Sequence, residues 1–214
     1  MPYFEKRQRQ TLEQIAEVKR ILGATEHAMG SKIPTSLLVT SASPGEGKSL
    51  FAAVLATAAA NSGKFRVAAI DLNWHRPALH QFFDLELNHS STELLAGDLS
   101  TLMCSSGQDA LDILTAPADY SDLNTPAFPV AKRLVEQAAA AYDLVIIDSA
   151  AVFPTNRMMM DPVMLSGIAD GVVMLVLTAV TPKQQVRKAQ KIMETAGATI
   201  LGVIANQLRM SADS

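Results

Sequence analysis

The sequence is short of four things, and each shortage closes off a class of protein. There is one cysteine, Cys104, in 214 residues, so no internal disulfide can staple the fold and a reducing compartment is expected. Aromatic residues make up 5% of the chain although 49% of it is hydrophobic. Its apolar content is therefore carried by Ala, Val, Leu and Ile, a balance that suits a sheet covered on both faces by Ala-rich helices. No apolar run reaches the roughly 18 residues that a membrane-spanning helix needs; the longest, 52–60 and 172–180, have the length of core elements. Positive charge is not in excess either: 18 Lys and Arg stand against 21 Asp and Glu, for a net charge of −3. That balance gives no electrostatic reason to expect a nucleic-acid partner. The opening residues are charged (Glu5, Lys6, Arg7, Arg9) and lack the apolar centre of a secretory signal. The expectation is a cytoplasmic protein with no direct membrane insertion, recruited to the inner face of a membrane only through a partner.

What is present is a repeated alternation. Short apolar runs at 36–41, 67–71, 111–115, 144–148, 172–177 and 200–205 read as buried parallel strands. Helical stretches are expected near 12–28, where Leu12, Ile15, Val18 and Leu22 share a face, and near 48–62, 90–97, 129–141, 158–168 and 182–196. Prolines at 117, 126 and 129 mark 116–129 as a surface loop. Strand–helix alternation without a repeat or a low-complexity linker argues for an α/β fold: a doubly wound, mostly parallel sheet with helices on both faces. One domain is expected over 1–214, with an N-terminal helical segment, 1–30, packed on it.

Between the strand at 36–41 and the helix at 48–62 lies Ala42-Ser43-Pro44-Gly45-Glu46-Gly47-Lys48-Ser49. A strand-to-helix turn aims backbone N–H groups and the positive end of a helix at one spot, which makes a phosphate site. Gly45 and Gly47 let the backbone approach phosphate oxygens closely. Lys48 would reach the β- and γ-phosphates, and the Ser49 hydroxyl would coordinate Mg2+. Alanine holds position 42, where the general phosphate-loop pattern has glycine. Pro44, Gly45, Glu46, Gly47, Lys48, Ser49 and Leu50 are the candidate nucleotide-binding residues, with ATP or ADP and Mg2+ as the ligands.

Such a loop works with carboxylates that hold the metal and its waters. In a parallel sheet those should stand at carboxyl ends of strands, and two do: Asp71 and Asp148. Asp148 reads as a metal ligand, direct or through water. Asp71 could orient a water or accept a proton from an attacking hydroxyl, and it is a candidate metal ligand too. Taken singly, each could equally be a solvated strand-end acid or a helix cap. With Lys48 they form the candidate catalytic set.

These residues resemble the bacterial tyrosine kinases of capsule and exopolysaccharide synthesis, a family within the partition-type P-loop ATPases. The resemblance rests on Thr40–Ser49, with its Pro-Gly-Glu-Gly-Lys-Ser core, and on the stretch from Ile70 to His80. Glu93–Gly97, Tyr142–Asp148 and Leu201–Asn206 add to it, so that residues 12–208 are covered. It implies an ATP-dependent tyrosine-kinase-like phosphotransferase or ATPase that serves polysaccharide synthesis and export. It also implies a membrane-bound polysaccharide co-polymerase or activator as partner, and assembly into a homo-oligomer. By resemblance Asn206 lies near the adenine, and Asp161 and Thr181 hold familiar positions.

The departures are as informative. The family's second aspartate in the Asp71 motif is Asn73 here, which adds no charge and cannot act as a base. Ser149-Ala150-Ala151 follows Asp148 where the family has Pro-Pro, so a looser segment is expected. Of the Glu, Arg and Arg that serve ring assembly, Glu17 and Arg20 match and Gly23 does not. The three tyrosines are Tyr3, Tyr120 and Tyr142, so residues 207–214 hold none of the family's C-terminal cluster. Two further readings follow: a catalytically weak ATP-binding regulatory subunit of the same system, and a partition-type ATPase. The last lacks its early loop lysine, since Ser43 stands there.

Other features read as structural. Trp74 and His75 are expected on an exposed loop, and Tyr142 in packing. His80 and His89 lack metal-ligand spacing. Met158, Met159, Met160 and Met164 are expected to pack on a helix, and Lys183, Arg187, Lys188 and Lys191 to form a solvated face.

Overall fold

The computed structural model describes residues 18–24, 26, 27, 30, 35–120, 127–154 and 159–206. Helical residues 18–24 (α1) lead to strand β1 (Thr35–Ser41), helix α2 (Lys48–Asn61), β2 (Val67–Asp71) and a 3-10 turn at Leu79–Phe83. Then come α3 (Ser91–Ala96), α4 (Leu99–Leu102), β3 (Cys104–Ser105), β4 (Leu111–Leu114), α5 (Ala127–Ala141) and β5 (Leu144–Ala151). The chain continues through α6 (Pro162–Ser166), β6 (Gly171–Leu177), α7 (Lys183–Thr195) and β7 (Ile200–Asn206). The strands form one sheet in the order β3-β4-β2-β5-β1-β6-β7. Every pairing is parallel except β3 with β4. This is the doubly wound α/β sheet the alternation implied.

Strand residues alternate between two cores, as the two-residue period of a strand requires. Leu38, Ala68, Ile70, Val145 and Ile147 face one side with Val130, Leu134 and Ala138 of α5 and Met193 of α7. Leu37, Val39, Val67, Ala69 and Ile146 face the other, against Ala52, Leu55, Ala56 and Ala59 of α2. All seven residues of β1 are buried, so this strand reads as a continuous apolar run because both its faces are covered. Leu22 of α1 joins the α2 side, and Glu26 meets Lys64 at 3.1 Å. Residues 12–17 of the expected first helix lie outside the described residues.

Several boundaries differ from the sequence reading. Helix α5 is described from Ala127 onward, two residues ahead of the expected 129, and Pro129 lies within it. The helix expected at 158–168 spans only Pro162–Ser166; Asp161 caps it by accepting from the Val163 N–H at 2.8 Å. Met160 is buried ahead of that helix while Met164 on it is 51% exposed; Met158 lies outside the described residues. The short antiparallel edge β3 has too few residues to show a period. The segment after Asp148 is not loosened up to Ala151. Ser149, Ala150 and Ala151 extend β5, Ala151 pairs with Ser41, and the Ser149 hydroxyl donates to Val39 O at 2.9 Å. Residues with backbone N–H groups can continue a ladder that two prolines would end. No described helix is long and apolar enough to cross a membrane.

Candidate functional site

Strand β1 delivers the chain to the carboxyl edge of the sheet, where it turns through residues 42–47 into α2. Gly45 and Gly47 have φ of 80° and 87°, a left-handed backbone that a side chain would strain. Helix α2 carries no side-chain cap on its N-terminus. Among the described residues, the N–H groups of residues 45–50 have no acceptor. They are the orphan donors of a helix start and lie free for an anion. Pro44, Gly45, Gly47, Lys48, Ser49 and Leu50 line a cleft of about 350 Å3, closed on the far side by Asn73, Arg76, Ala150 and Ala151. Glu46 is not among the lining residues; its side chain turns into the protein and is 1% exposed.

The register of the sheet brings the two strand-end acids side by side. Asp71 pairs with Asp148 across β2 and β5, and Asp148 pairs with Val39 of β1. Both are fully buried, yet they are bonded differently. Asp71 Oδ1 accepts from the Asn73 N–H at 2.9 Å, and Oδ2 accepts from the N–H groups of Ala78 at 3.2 Å and Leu79 at 3.1 Å. Burial still pushes Asp71 above the usual carboxylate range, against the pull of those amides. Neither oxygen of Asp148 has a hydrogen-bond partner within the protein. Burial, and then the charge of Asp71, push its carboxyl up to about 8, with the Ser49 hydroxyl and Lys48 opposing. Burial lowers Lys48 from the ordinary lysine range, countered by the charges of Asp148 and Glu46.

The loop after β2 is folded around Asp71. Asn73 Nδ2 donates to Arg76 O at 2.9 Å while its Oδ1 is buried without a partner. Trp74 is a correction: it is 5% exposed rather than a loop-surface residue. Its indole N–H donates to Asp71 O at 2.9 Å, and its ring meets Tyr120 edge-on at 5.1 Å. A tryptophan can be buried at a strand end when its one polar atom finds a local carbonyl. His75 packs on the same tyrosine at 4.7 Å. Tyr142 is in packing as expected: its hydroxyl donates to Asp112 at 2.9 Å, and burial and that carboxylate push it up to about 12.

Asn206, at the end of β7, reaches the loop from the opposite side. Its amide donates to Glu46 O at 3.0 Å. A Cβ on Gly47 would stand 2.5 Å from the same nitrogen and would displace the amide, and the φ of 87° already favours glycine there. Two residues at this site had no contact assigned to them in the sequence reading. Arg76 lines the cleft and Thr181 hydrogen-bonds Glu46. Arg76 had a signal, its place in the Asp71 motif; Thr181 had only its familiar position by resemblance, and its contact with Glu46, which spans 135 positions, was not legible.

The residues present fit a metal–nucleotide pair. Two buried carboxylate oxygens without a partner call for a proton or a cation. A hydroxyl, one carboxylate and phosphate oxygens are what Mg2+ takes, rather than a full protein cage. Among the described residues no group of three His, Cys, Asp or Glu could hold a metal alone.

The profile of the family "ATPase MipZ" matches residues 36–179. Over 184 residues the chain is 34% identical to the tyrosine-protein kinase YwqD of Bacillus subtilis (strain 168), covering 84% of this chain and 75% of that one. The chain belongs to the bacterial tyrosine-kinase family. It is also 29% identical to the succinoglycan biosynthesis transport protein ExoP of Rhizobium meliloti (strain 1021), over 82% of this chain but only 22% of that protein. The chain thus spans about a quarter of the longer relatives it matches. The chimerical protein CapA2B2 superposes with a TM-score of 0.73 at 28% identity, covering 90% of this chain and 84% of that one. The septum site-determining protein MinD of Pyrococcus horikoshii OT3, solved with Mg-ADP, shares the fold at a TM-score of 0.67 and 18% identity, over 83% and 72%. This tyrosine-kinase-family chain is therefore of the kinase/ATPase type, built on the fold of the partition and MinD ATPases.

Proposed function

We propose that the chain binds Mg-ATP on residues 44–50 and passes the γ-phosphoryl group to a protein tyrosine in a polysaccharide assembly system, together with a membrane-bound co-polymerase or activator. The observation that carries this reading is Asp148. This carboxylate is buried beside Lys48 and Ser49 with no full hydrogen-bond partner of its own, which leaves it for a cation once its proton is displaced. The free N–H groups of residues 45–50 would receive the β- and γ-phosphates, with Lys48 as point charge. Ser49 and Asp148 would hold the metal, which when bound neutralises charge on the transferring oxygens. Asp71, kept up by burial, would accept the proton of the attacking hydroxyl as it bonds to the γ-phosphorus and the bond to the β-phosphate oxygen breaks. The link to polysaccharide is supported by the name of ExoP, and the tyrosine acceptor by that of YwqD.

The test is transfer of labelled γ-phosphate to phosphotyrosine with Mg-ATP, a membrane activator and a tyrosine-rich acceptor. Label is expected with the wild type and absent with Lys48→Met. No label with any chain would end the kinase reading. One observation favours a second reading, a slow ATP-binding regulatory subunit: Asn73 is spent on closing its loop through the Arg76 carbonyl. Tight Mg-ATP binding with negligible turnover would support that reading, and rapid tyrosine phosphorylation would rule it out.

A further inference from the structure

The side of the phosphate loop turned away from the cleft carries a polar cluster with no part in the scheme above. Glu46 Oε2 accepts from the Ser43 N–H at 2.8 Å, and Oε1 accepts from the Leu177 N–H at 3.3 Å and from the Thr181 hydroxyl. Gln185, in the first turn of α7, donates from Nε2 to Ser43 Oγ at 2.7 Å. The connection that supplies these groups is itself tightly wound. The N–H groups of Val180 and Thr181 both donate to Leu177 O, at 3.2 and 3.0 Å, and Ala179, just before Val180, is held at φ 65°. An alanine persists in that region only where its surroundings over-determine it.

Glu46 sits between Gly45 and Gly47, the two most freely rotating residues of the loop. Neither glycine has a side chain by which it could be held. Whatever fixes Glu46 therefore fixes the direction of the N–H groups on either side.

We propose that Glu46 and Thr181 are a positioning pair: the buried carboxylate hooks the phosphate loop to the β6–α7 connection and holds its N–H groups ready for phosphate. This rests on the nucleotide reading above and adds the device that pre-organises its loop. A loop held in its bound shape binds more tightly because less ordering remains to be done on binding.

The test measures Mg-ADP and Mg-pyrophosphate affinity by calorimetry on the full chain, with the thermal midpoint recorded for each variant. Thr181→Val removes the hydroxyl and keeps the shape; it is expected to weaken both ligands by the same factor, about tenfold. Thr181→Ser, which keeps the hydroxyl, is expected to stay within twofold of the wild type. Glu46→Gln sets an NH2 group against either the Ser43 N–H or the Leu177 N–H, whichever way the amide turns, and should weaken both ligands even if Thr181→Val fails to fold. The pair is overturned if Thr181→Val and Glu46→Gln bind as the wild type does while only their thermal midpoints fall. It is overturned equally if Thr181→Ser fails to restore affinity, or if Mg-ADP weakens while Mg-pyrophosphate does not. A wild-type chain that binds neither ligand would instead remove the nucleotide reading on which the pair rests.

Discussion

Asp71 and Asp148 end neighbouring parallel strands, stand opposite one another in the ladder and are both fully buried. Their sequence contexts are nearly interchangeable, an apolar run followed by Asp. What differs is the chain that follows. After Asp71 the backbone folds back and delivers three N–H groups to its carboxylate. After Asp148 the chain runs straight on through three further strand residues and returns none to it. One acid is therefore an organiser of a loop and the other is left for a ligand. Position at a strand end selects candidates; the direction of the next few residues divides the labour between them.

The comparison breaks most sharply in activity. Asp148→Asn should lower phosphotransfer at least about a hundredfold, the scale of losing one charge-stabilising group, while the free protein remains folded; a phosphotyrosine assay beside circular dichroism checks both. Asp71→Ala, which also removes the proposed proton acceptor, is expected to cost stability as well as activity. It leaves buried N–H groups without acceptors at about 1–3 kcal/mol each, so urea denaturation should show a loss of several kcal/mol.

Acidity separates the pair further. Asp148 is held near 8 when folded, above its ordinary value of 3.8, so the folded protein keeps a proton that the unfolded chain releases. Stability is then full below about pH 4, falls as pH rises towards 8 and levels off above it, with a slope of at most about 1.4 kcal/mol per pH unit. Asp148→Asn should flatten that slope and leave the free protein more stable than the wild type at pH 8. Mg-nucleotide affinity should rise over the same window, because binding must displace the proton. The smallest effect is Asn73→Asp, which loses the bond to Arg76 O and adds a third carboxylate. We expect a loss of about 1 kcal/mol in thermal or urea melts, on the scale of one hydrogen bond. A large gain in tyrosine phosphorylation from the same variant would instead assign Asn73 to restraint of turnover.

Most of the sheet was legible because its strands are apolar on both faces and bounded by glycine, proline or acid. Val67–Asp71 was read to the residue. The phosphate loop was legible as a strand, a Gly-x-Gly-Lys-Ser turn and a helix. What was hidden depends on partners distant in sequence. Trp74 looked like a surface residue because nothing local announces that Tyr120 will cover it. Glu46 looked like a lining residue because a motif does not say which way a side chain turns between two glycines. The persistence of β5 through Ser149–Ala151 depended on β1 offering Ser41 and Ala42 as partners.

The contact between Gly47 and Asn206 makes order of synthesis matter. The loop leaves the ribosome early, but the amide that seats against it arrives 160 residues after Glu46, on the last described strand. A nascent chain that has completed β1 to β6 has every atom of the metal side and still lacks one wall of its loop. The phosphate loop thus takes its final support only from the finished sheet, after its edge strand has docked. Contacts of such sequence separation are slow to form, so this wall of the loop is among the last parts of the fold to be set.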